Sequence, residues 1–523
     1  MLSFFFKPNA VAVIGASANS EKLGHAVLRN LIDGGYAAQG KVYPINPKAD
    51  EILGLKTYPS VTDVPGPIDL AVIVIPHVYV PDALKTCGEK GIKGVVVISA
   101  GFREAGKEGV ERERELIRIA DEYNMRMIGP NVLGILDTFT PINASFAADS
   151  PPQGPIAITS QSGALGTAIL DWAQGGSMGL SKFVSLGNKA DVNEIDLLKE
   201  WAQDDNTKVI LMYIEELSNG QEFLETARKV AQIKPVVAIK SGVTQSGARA
   251  VSSHTGSLAG SEQAYHAAFQ QAGVIRADSM EELFDMSLAF GYQPPLKGKK
   301  IAIITNAGGP GILATDALER AGLSLARFEL ETIHTLEQTL PDAASAANPV
   351  DVLGDAMADR YQFALDTVGS DPNVDGLIVV LTPQAMTEIE ATAQAVCDKA
   401  KEIDKPVLTC FMGEKRVQAG INILTKNNIP NYPFPNRAAL AFKAMSDYQA
   451  IIERPEEELT TFDVDKEAVT NLFNKVRGEG RFSIGDSEAR EILEAYGLPI
   501  PRSELATTPD EAIEQANKIG YPI

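Results

Sequence analysis

The sequence predicts an α/β protein made of successive doubly wound units, and three observations predict it. Short β-branched strands alternate with amphipathic helices along most of the 523 residues, the pattern that gives parallel sheets covered on both faces. Proline pairs at Pro151-Pro152 and Pro294-Pro295 interrupt the alternation, and proline continues neither a central strand nor a helix. Ile156-Ala-Ile-Thr-Ser-Gln-Ser-Gly163 is echoed by Ile301-Ala-Ile-Ile-Thr-Asn-Ala-Gly308, each an apolar strand running through small residues into a helix. A chain of 523 residues exceeds what one hydrophobic core supports, so several domains are expected.

Composition bounds the function. Apolar residues make up 45% and charged residues 22% of the chain, as in folded globular proteins. The formal charge of −21 argues against nucleic acid or an anionic membrane surface as a partner, yet permits a small polyanion held by a few local cations. No apolar run reaches the length of a membrane span, and the opening Met-Leu-Ser-Phe-Phe-Phe-Lys lacks the pattern of a signal peptide. A soluble, cytoplasmic protein is expected. Cys87, Cys397 and Cys410 fit neither a metal spacing nor an even disulfide framework, so reduced thiols and no metal site are expected.

In residues 1–150, strands are expected at 11–14, 41–44, 70–75, 95–99 and 127–128. Val11-Ala-Val-Ile-Gly-Ala-Ser17 reads as a first strand and turn, with a helix from about Lys22. The dinucleotide glycine pattern is broken, because the next glycine is Gly24. The second strand ends in Tyr43-Pro-Ile-Asn-Pro-Lys48, where a nicotinamide site would carry an Asp or Glu. Lys48 suits a phosphate there, or is a solvated loop charge. Further strand ends at Ile75-Pro-His77, Ile98-Ser-Ala-Gly101 and Ile128-Gly-Pro-Asn131 fall on the same carboxyl edge, with His77 read as a structural turn residue.

In residues 151–292, a strand at 156–159 feeds Ser160-Gln-Ser-Gly163 and a helix, whose free N–H groups and positive end suit an anion. Later strands deliver Gly187-Asn-Lys189, Glu215-Glu216 and Lys240-Ser-Gly242, and then the small-residue stretch 247–261 with His254 at its centre. That His is either a nucleophile or base for a phosphate-like substrate, or an incidental turn residue. A carboxylate beside it would fix its tautomer and stabilise a charged ring. His266, within the following helix, is expected to be packing or surface. Residues 293–454 repeat the strand, glycine turn and helix in a flavodoxin-like unit. Residues 455–483 are rich in Glu and Lys and read as linker, and 484–523 read as two short helices.

Val13-Ile-Gly-Ala-Ser17, Pro44-Ile-Asn-Pro-Lys48 and Gly129-Pro-Asn131 together resemble the CoA-binding domain of the succinyl-CoA synthetase superfamily. Ser160-Gln-Ser-Gly-Ala-Leu-Gly166, Tyr213-Ile-Glu-Glu-Leu217 and Ser253-His-Thr-Gly-Ser-Leu-Ala-Gly260 match, in order, the motifs of its NDP-forming acyl-CoA synthetases, the ADP-forming acetyl-CoA synthetase family. Asn348-Pro-Val-Asp-Val-Leu-Gly354 is a further matching loop, and residues 487–522 resemble the opening of an ATP-grasp domain. The resemblance implies a Rossmann-like CoA-binding domain, two flavodoxin-like domains and the start of an ATP-grasp domain. It implies a reversible reaction of acyl-CoA, phosphate and ADP to carboxylic acid, CoA and ATP, through acyl phosphate and phosphohistidine.

Carried over residue by residue, His254 is the phosphorylated histidine and Glu215 its partner, with Glu216 the adjacent alternative. CoA would be held by Gly15, Ser17, Lys22, Lys48, Pro76 and Asn131. Phosphate would sit between two helix ends, Ser160, Ser162 and Gly163 on one side and Ala307, Gly308 and Gly309 on the other. The implied ligands are CoA, phosphate, a small carboxylic acid, and ATP or ADP with Mg²⁺. The implied assembly is a homo-oligomer, or a complex with an ATP-grasp domain or subunit. The ATP-grasp pattern would continue past Ile523, so most of the nucleotide site is expected outside these residues. Two other classes fit parts of the chain. One is a CoA-binding regulatory or protein-acyltransferase-associated module without ligase activity. The other is a nicotinamide oxidoreductase, which Lys48 and the broken glycine pattern disfavour.

Overall fold

The computed structural model describes residues 2–175, 178–244, 246–247, 249, 261–455, 462–481 and 483–523. His254 lies outside the described residues. The chain divides into two compact units, Met1–Glu453 and Arg454–Ile523.

The first unit holds three main sheets, each doubly wound. The first sheet is parallel throughout, in the spatial order Lys41–Ile45, Ala10–Ile14, Leu70–Ile73, Gly94–Val97, Arg126–Ile128. Its three central strands are buried at every position, which is why they read as unbroken apolar runs rather than alternating ones. In chain order this is 2-1-3-4-5, so the order reverses between Ala10–Ile14 and Leu70–Ile73.

The second sheet runs Ile275–Arg276, Val236–Lys240, Val209–Ile214, Gln153–Ser160, Leu180–Ser185, Gly134–Asp137, Ile142–Ser145. Gly134–Asp137 is antiparallel to Leu180–Ser185 and Ile142–Ser145 antiparallel to Gly134–Asp137. Both strands belong to this second sheet, and the first sheet ends at Arg126–Ile128, the last strand expected for it. The remaining strands repeat the 2-1-3-4-5 order, with the reversal between Gln153–Ser160 and Val209–Ile214. The third sheet, Ser324–Leu325, Lys300–Thr305, Gly376–Leu381, Val407–Phe411, has its reversal between Lys300–Thr305 and Gly376–Leu381.

The phenylalanine run at the start of the chain serves the core. Phe5 and Phe6 are buried in the short helix Ser3–Phe6, and Phe6 packs on the fully buried Trp201 of the second domain, ring centroids 6.4 Å apart. The cysteines are core residues too. All three are buried and free, and burial pushes the Cys87 thiol up to about 12 and the Cys397 thiol up to about 11.

The unit Arg454–Ile523 contains the helices Lys466–Gly478, Asp486–Ala495 and Pro509–Ile519. The stretch read as linker, with room for a helix and an extended arm, carries the helix Lys466–Gly478. That helix packs on Asp486–Ala495, tied by Asp465 N–H to Ala495 O at 3.0 Å. Among the described residues of this unit the buried side chains are Val469, Val476 and Ala516, too few for a core of its own.

Candidate active site

Ligands of open α/β sheets bind outside the carboxyl ends of the strands, where the strand order reverses. The reversal points of the first and second sheets open on one cleft of about 1450 Å³. Gly15, Ser17, Lys22, Lys48, Pro76 and Asn131, the six residues expected to hold CoA, all line it. Gly15 sits at φ +94°, and a Cβ there would stand 2.3 Å from the Val74 carbonyl oxygen of the neighbouring strand. A Cβ on Gly24 would in turn stand 2.0 Å from the Gly15 oxygen. The distant second glycine thus lets the helix Leu23–Asp33 rest directly on the first turn, the close approach that a conventional dinucleotide fingerprint achieves with nearer glycines.

Asn46 joins the first two strand ends, its Nδ2 donating to Ala16 O at 2.8 Å and its Oδ1 accepting from Lys48 N–H at 2.8 Å. Asn131 adopts φ +63°, a conformation Asn tolerates well. His77 packs edge-on against Phe102, with ring centroids 6.3 Å apart.

The far end of the cleft is built by the second sheet. Gln161, Ser162, Gly163 and Glu215 line it. Ser162 caps the helix Gly163–Gln174, its Oγ accepting from Leu165 N–H at 3.2 Å, while the first N–H groups of any helix lack intrahelical acceptors. Ser160 does not line the cleft. It is fully buried, and its Oγ donates to Ser162 O at 2.8 Å and accepts from Ser162 N–H at 3.2 Å. Its hydroxyl shapes the turn that carries Ser162 and Gly163.

Gln161 is the residue that sequence reasoning missed. Its Oε1 accepts from the N–H groups of Glu215 and Glu216 at 2.9 and 3.0 Å, and its Nε2 donates to Glu216 O at 2.9 Å. One buried amide therefore holds the carboxylate-bearing strand end against the anion-binding turn. Gln161→Leu leaves these two N–H groups without their acceptor, at about 1–3 kcal/mol each. A markedly lower unfolding midpoint together with slower turnover is expected; an unchanged midpoint would contradict this role.

The third sheet repeats the same device. Thr305 Oγ1 donates to Ala307 O at 3.0 Å and accepts from Ala307 N–H at 3.1 Å, as Ser160 does with Ser162. Asn306 Oδ1 accepts from Thr382 N–H and its Nδ2 donates to Thr382 O, both at 2.9 Å, as Gln161 does with the Glu215 strand end. Thr382 stands where Glu215 stands in the second sheet, so the echo repeats the scaffold and leaves out the carboxylate. Ala307, Gly308 and Gly309 begin the helix Gly308–Arg320 but do not line the cleft. Asp351 Oδ2 lies 3.7 Å from where a Cβ on Gly308 would stand, which places negative charge at this helix end. Asn348 is a strand clamp, its Nδ2 donating to Ile301 O and Ala326 O at 2.9 and 3.0 Å.

A polar network fastens the first domain to the second beside the cleft. Arg103 Nη2 donates to Asn188 O at 2.9 Å and pairs with Glu216 Oε1 at 3.3 Å. Asn188 Nδ2 donates to both Glu104 and Glu113, at 2.6 and 2.7 Å. Burial pushes the Glu113 carboxyl up despite Asn188 and Arg103. At Glu104 burial is outweighed by donation from Asn188 and the N–H groups of Gly101 and Phe102, and its carboxyl lies below the usual range. The adjacent glutamates are thereby told apart: Glu216 faces Arg103, and Glu215 faces the cleft. Lys189 is committed elsewhere, buried against Glu194 at 3.3 Å and donating to Glu216 O at 2.6 Å.

Lys240 ends its strand beside this centre, with its ammonium over the Tyr265 ring at 4.6 Å and its pKa lowered by burial. The Tyr265 hydroxyl accepts from Leu217 N–H at 3.0 Å. His266 is exposed. Among the described residues no group of three or more His, Cys, Asp or Glu side chains is placed to hold a metal ion, and no helix is long and apolar enough to cross a membrane.

The chain matches four family descriptions in order: CoA binding domain over residues 9–138, succinyl-CoA ligase like flavodoxin domain over 153–290, ligase-CoA domain over 301–450 and ATP-grasp domain over 475–523. It is 44% identical over 521 residues to acetate–CoA ligase (ADP-forming) I of Archaeoglobus fulgidus, covering 99% of this chain and 74% of that protein. The chain belongs to the ADP-forming acetate–CoA ligase family. It is an enzyme of the acid–thiol ligase class.

Members of this family also occur as separate subunits. The α subunit of acetate–CoA ligase (ADP-forming) II of Pyrococcus furiosus is 45% identical over 450 residues, 85% of this chain and 97% of that subunit. The β subunit of the same enzyme is 44% identical over 52 residues, 10% of this chain and 22% of that subunit. The solved structure of Ca. Korarchaeum cryptofilum dinucleotide forming acetyl-coenzyme A synthetase 1, in complex with phosphate and ADP, superposes with a TM-score of 0.84. It is 39% identical and covers 88% of this chain and all of that one.

Proposed function

We propose that this enzyme converts acyl-CoA and phosphate to acyl phosphate and CoA in the cleft between its first two sheets, and then moves the phosphoryl group through His254 to ADP. The observation that carries the reading is the continuity of the cleft. The six CoA-edge residues, the Gly163 helix end and Glu215 line one cavity, so a thioester carbonyl and a bound phosphate can meet there.

Gly15, Ser17, Lys22, Lys48, Pro76 and Asn131 hold CoA along the first sheet's edge, with the lysines near its phosphates. The helix end at Ser162 and Gly163 holds inorganic phosphate through N–H groups and the helix dipole. A phosphate oxygen attacks the thioester carbon, the C–S bond breaks, and the thiol leaves carrying the proton that phosphate loses. His254 then attacks phosphorus and the carboxylate departs as free acid. Glu215 orients the imidazole and stabilises its developing charge. Transfer to ADP regenerates His254 and gives ATP. Mg²⁺ would accompany ATP and ADP in such chemistry.

The first half-reaction needs no nucleotide, and it tests the reading. Incubation with acetyl-CoA or butyryl-CoA in phosphate buffer should release CoA thiol and form a hydroxylamine-trappable acyl phosphate. No phosphate-dependent thiol release from either would sink it.

A further inference from the structure

We infer that Lys240 and Tyr265 form a clamp that closes the base of residues 241–261 against the Glu215 strand end, and that Lys240 is thereby a positioning residue for phosphoryl transfer to His254. The inference rests on the proposed function and adds to it two residues that do not line the acyl-CoA cleft.

Two adjacent strands deliver the parts. Val209–Ile214 and Val236–Lys240 are parallel, with Ile214 in register with Lys240, and Ser241 N–H donates to Ile214 O at 3.0 Å. Glu215 and the segment that begins at Ser241 therefore leave the sheet side by side. The chain returns in the helix Glu262–Ala272, capped by Ser261, whose Oγ accepts from Ala264 N–H at 3.4 Å. Glu262 pairs with Arg276, and Arg276 is in register with Ala238 of the Lys240 strand, which holds the start of this helix beside the sheet.

Tyr265, one turn into that helix, joins all three pieces. Its ring lies 4.6 Å from the Lys240 ammonium. Its hydroxyl accepts from Leu217 N–H at 3.0 Å, two residues beyond Glu215. One side chain thus ties the outgoing end of residues 241–261, their returning end and the carboxylate-bearing turn.

An ammonium is a costly group to place here. Lys240 is 5% exposed, and burying a charge is unfavourable unless it is compensated. Its Nζ donates to Ser241 O and meets the ring face, a cation–π contact that strengthens when desolvated. The charge also acts on Glu262, Glu215 and Glu216, with Arg276 opposing it. Apolar packing alone would be served as well by a methionine. A cation is needed where the two ends of the His254 segment must be fixed to each other and to Glu215.

The test reads two partial reactions of the full chain with acetyl-CoA or butyryl-CoA, whichever the parent uses faster. Hydroxylamine-trapped acyl phosphate reports the cleft, and acid-labile, base-stable label from radiolabelled phosphate reports transfer to His254. Lys240→Met should lower the labelling rate about 100-fold and leave acyl phosphate formation within about twofold of the parent. Tyr265→Leu should do the same. The double variant should label no more than about threefold slower than the slower single variant, because residues acting as one unit are not additive. Parental labelling in Lys240→Met, equal loss of both partial reactions, or additive losses in the double variant would each overturn the clamp and leave the ligase reading intact. Labelling absent from the parent would sink transfer to His254, and this inference with it. Acyl phosphate absent from the parent would sink the ligase reading itself.

Discussion

On the proposed mechanism, Glu215→Gln is expected to lower the rate of phosphoenzyme formation from acyl-CoA and phosphate by about 10³-fold, while CoA affinity changes little. The substitution keeps the side chain's shape and the Gln161 clamp, which acts on the backbone N–H of residue 215, and removes only the charge. A neutral amide can still accept from an imidazole N–H, but it does not stabilise a cationic ring, so the expected loss falls on the chemical step. Glu216→Gln is the matched control. Glu216 pairs with Arg103, whose side chain is 33% exposed, and a pair of that kind contributes about 1 kcal/mol or less. A few-fold effect is expected. Equal losses in the two variants would show that the strand end, rather than the Glu215 carboxylate, matters.

Gly15→Ala has the second large effect, on CoA. Alanine at φ +94° is strained, and its Cβ would meet the Val74 carbonyl at 2.3 Å and Ile75 Cγ2 at 2.7 Å. Backbone strain of about 1–2 kcal/mol and overpacking of about 1–3 kcal/mol act together. The two strands that define the CoA edge must separate, so CoA affinity should fall at least about tenfold and the unfolding midpoint should drop. Gly54→Ala separates the causes. It has φ +77° with nothing within 4 Å of a Cβ, so it carries the strain without the clash. CoA affinity unchanged in Gly15→Ala would contradict the placement of CoA at this turn.

The parts legible in sequence were those governed by local pattern. Fully buried strands such as Ala10–Ile14 and Gly94–Val97 announce themselves as apolar runs, and the turns that follow them fall on the carboxyl edge by topology alone. That suffices to bring the six CoA-edge residues and Glu215 to one cleft. What was not legible depended on long-range partners. Gly134–Asp137 and Ile142–Ser145 joined the second sheet, because nothing local says which edge a short strand extends. The Ser160 hydroxyl closes its own turn through Ser162, a contact that the strand-to-helix pattern does not announce. The internal echo did contain a usable signal. Gln161 and Asn306 occupy the same place in the two turns, and a shared amide there points to a clamp across strands. The pairing of Glu216 with Arg103, more than 100 residues earlier in the chain, is likewise a long-range contact that no local pattern announces.

The central claim is that phosphate from the acyl-CoA cleft passes to His254. Incubating the chain with acyl-CoA and radiolabelled phosphate, then quenching into acid or base, measures this directly. A label stable to base, lost in acid and absent from His254→Asn is the predicted result. Equal labelling of His254→Asn and the parent would contradict it.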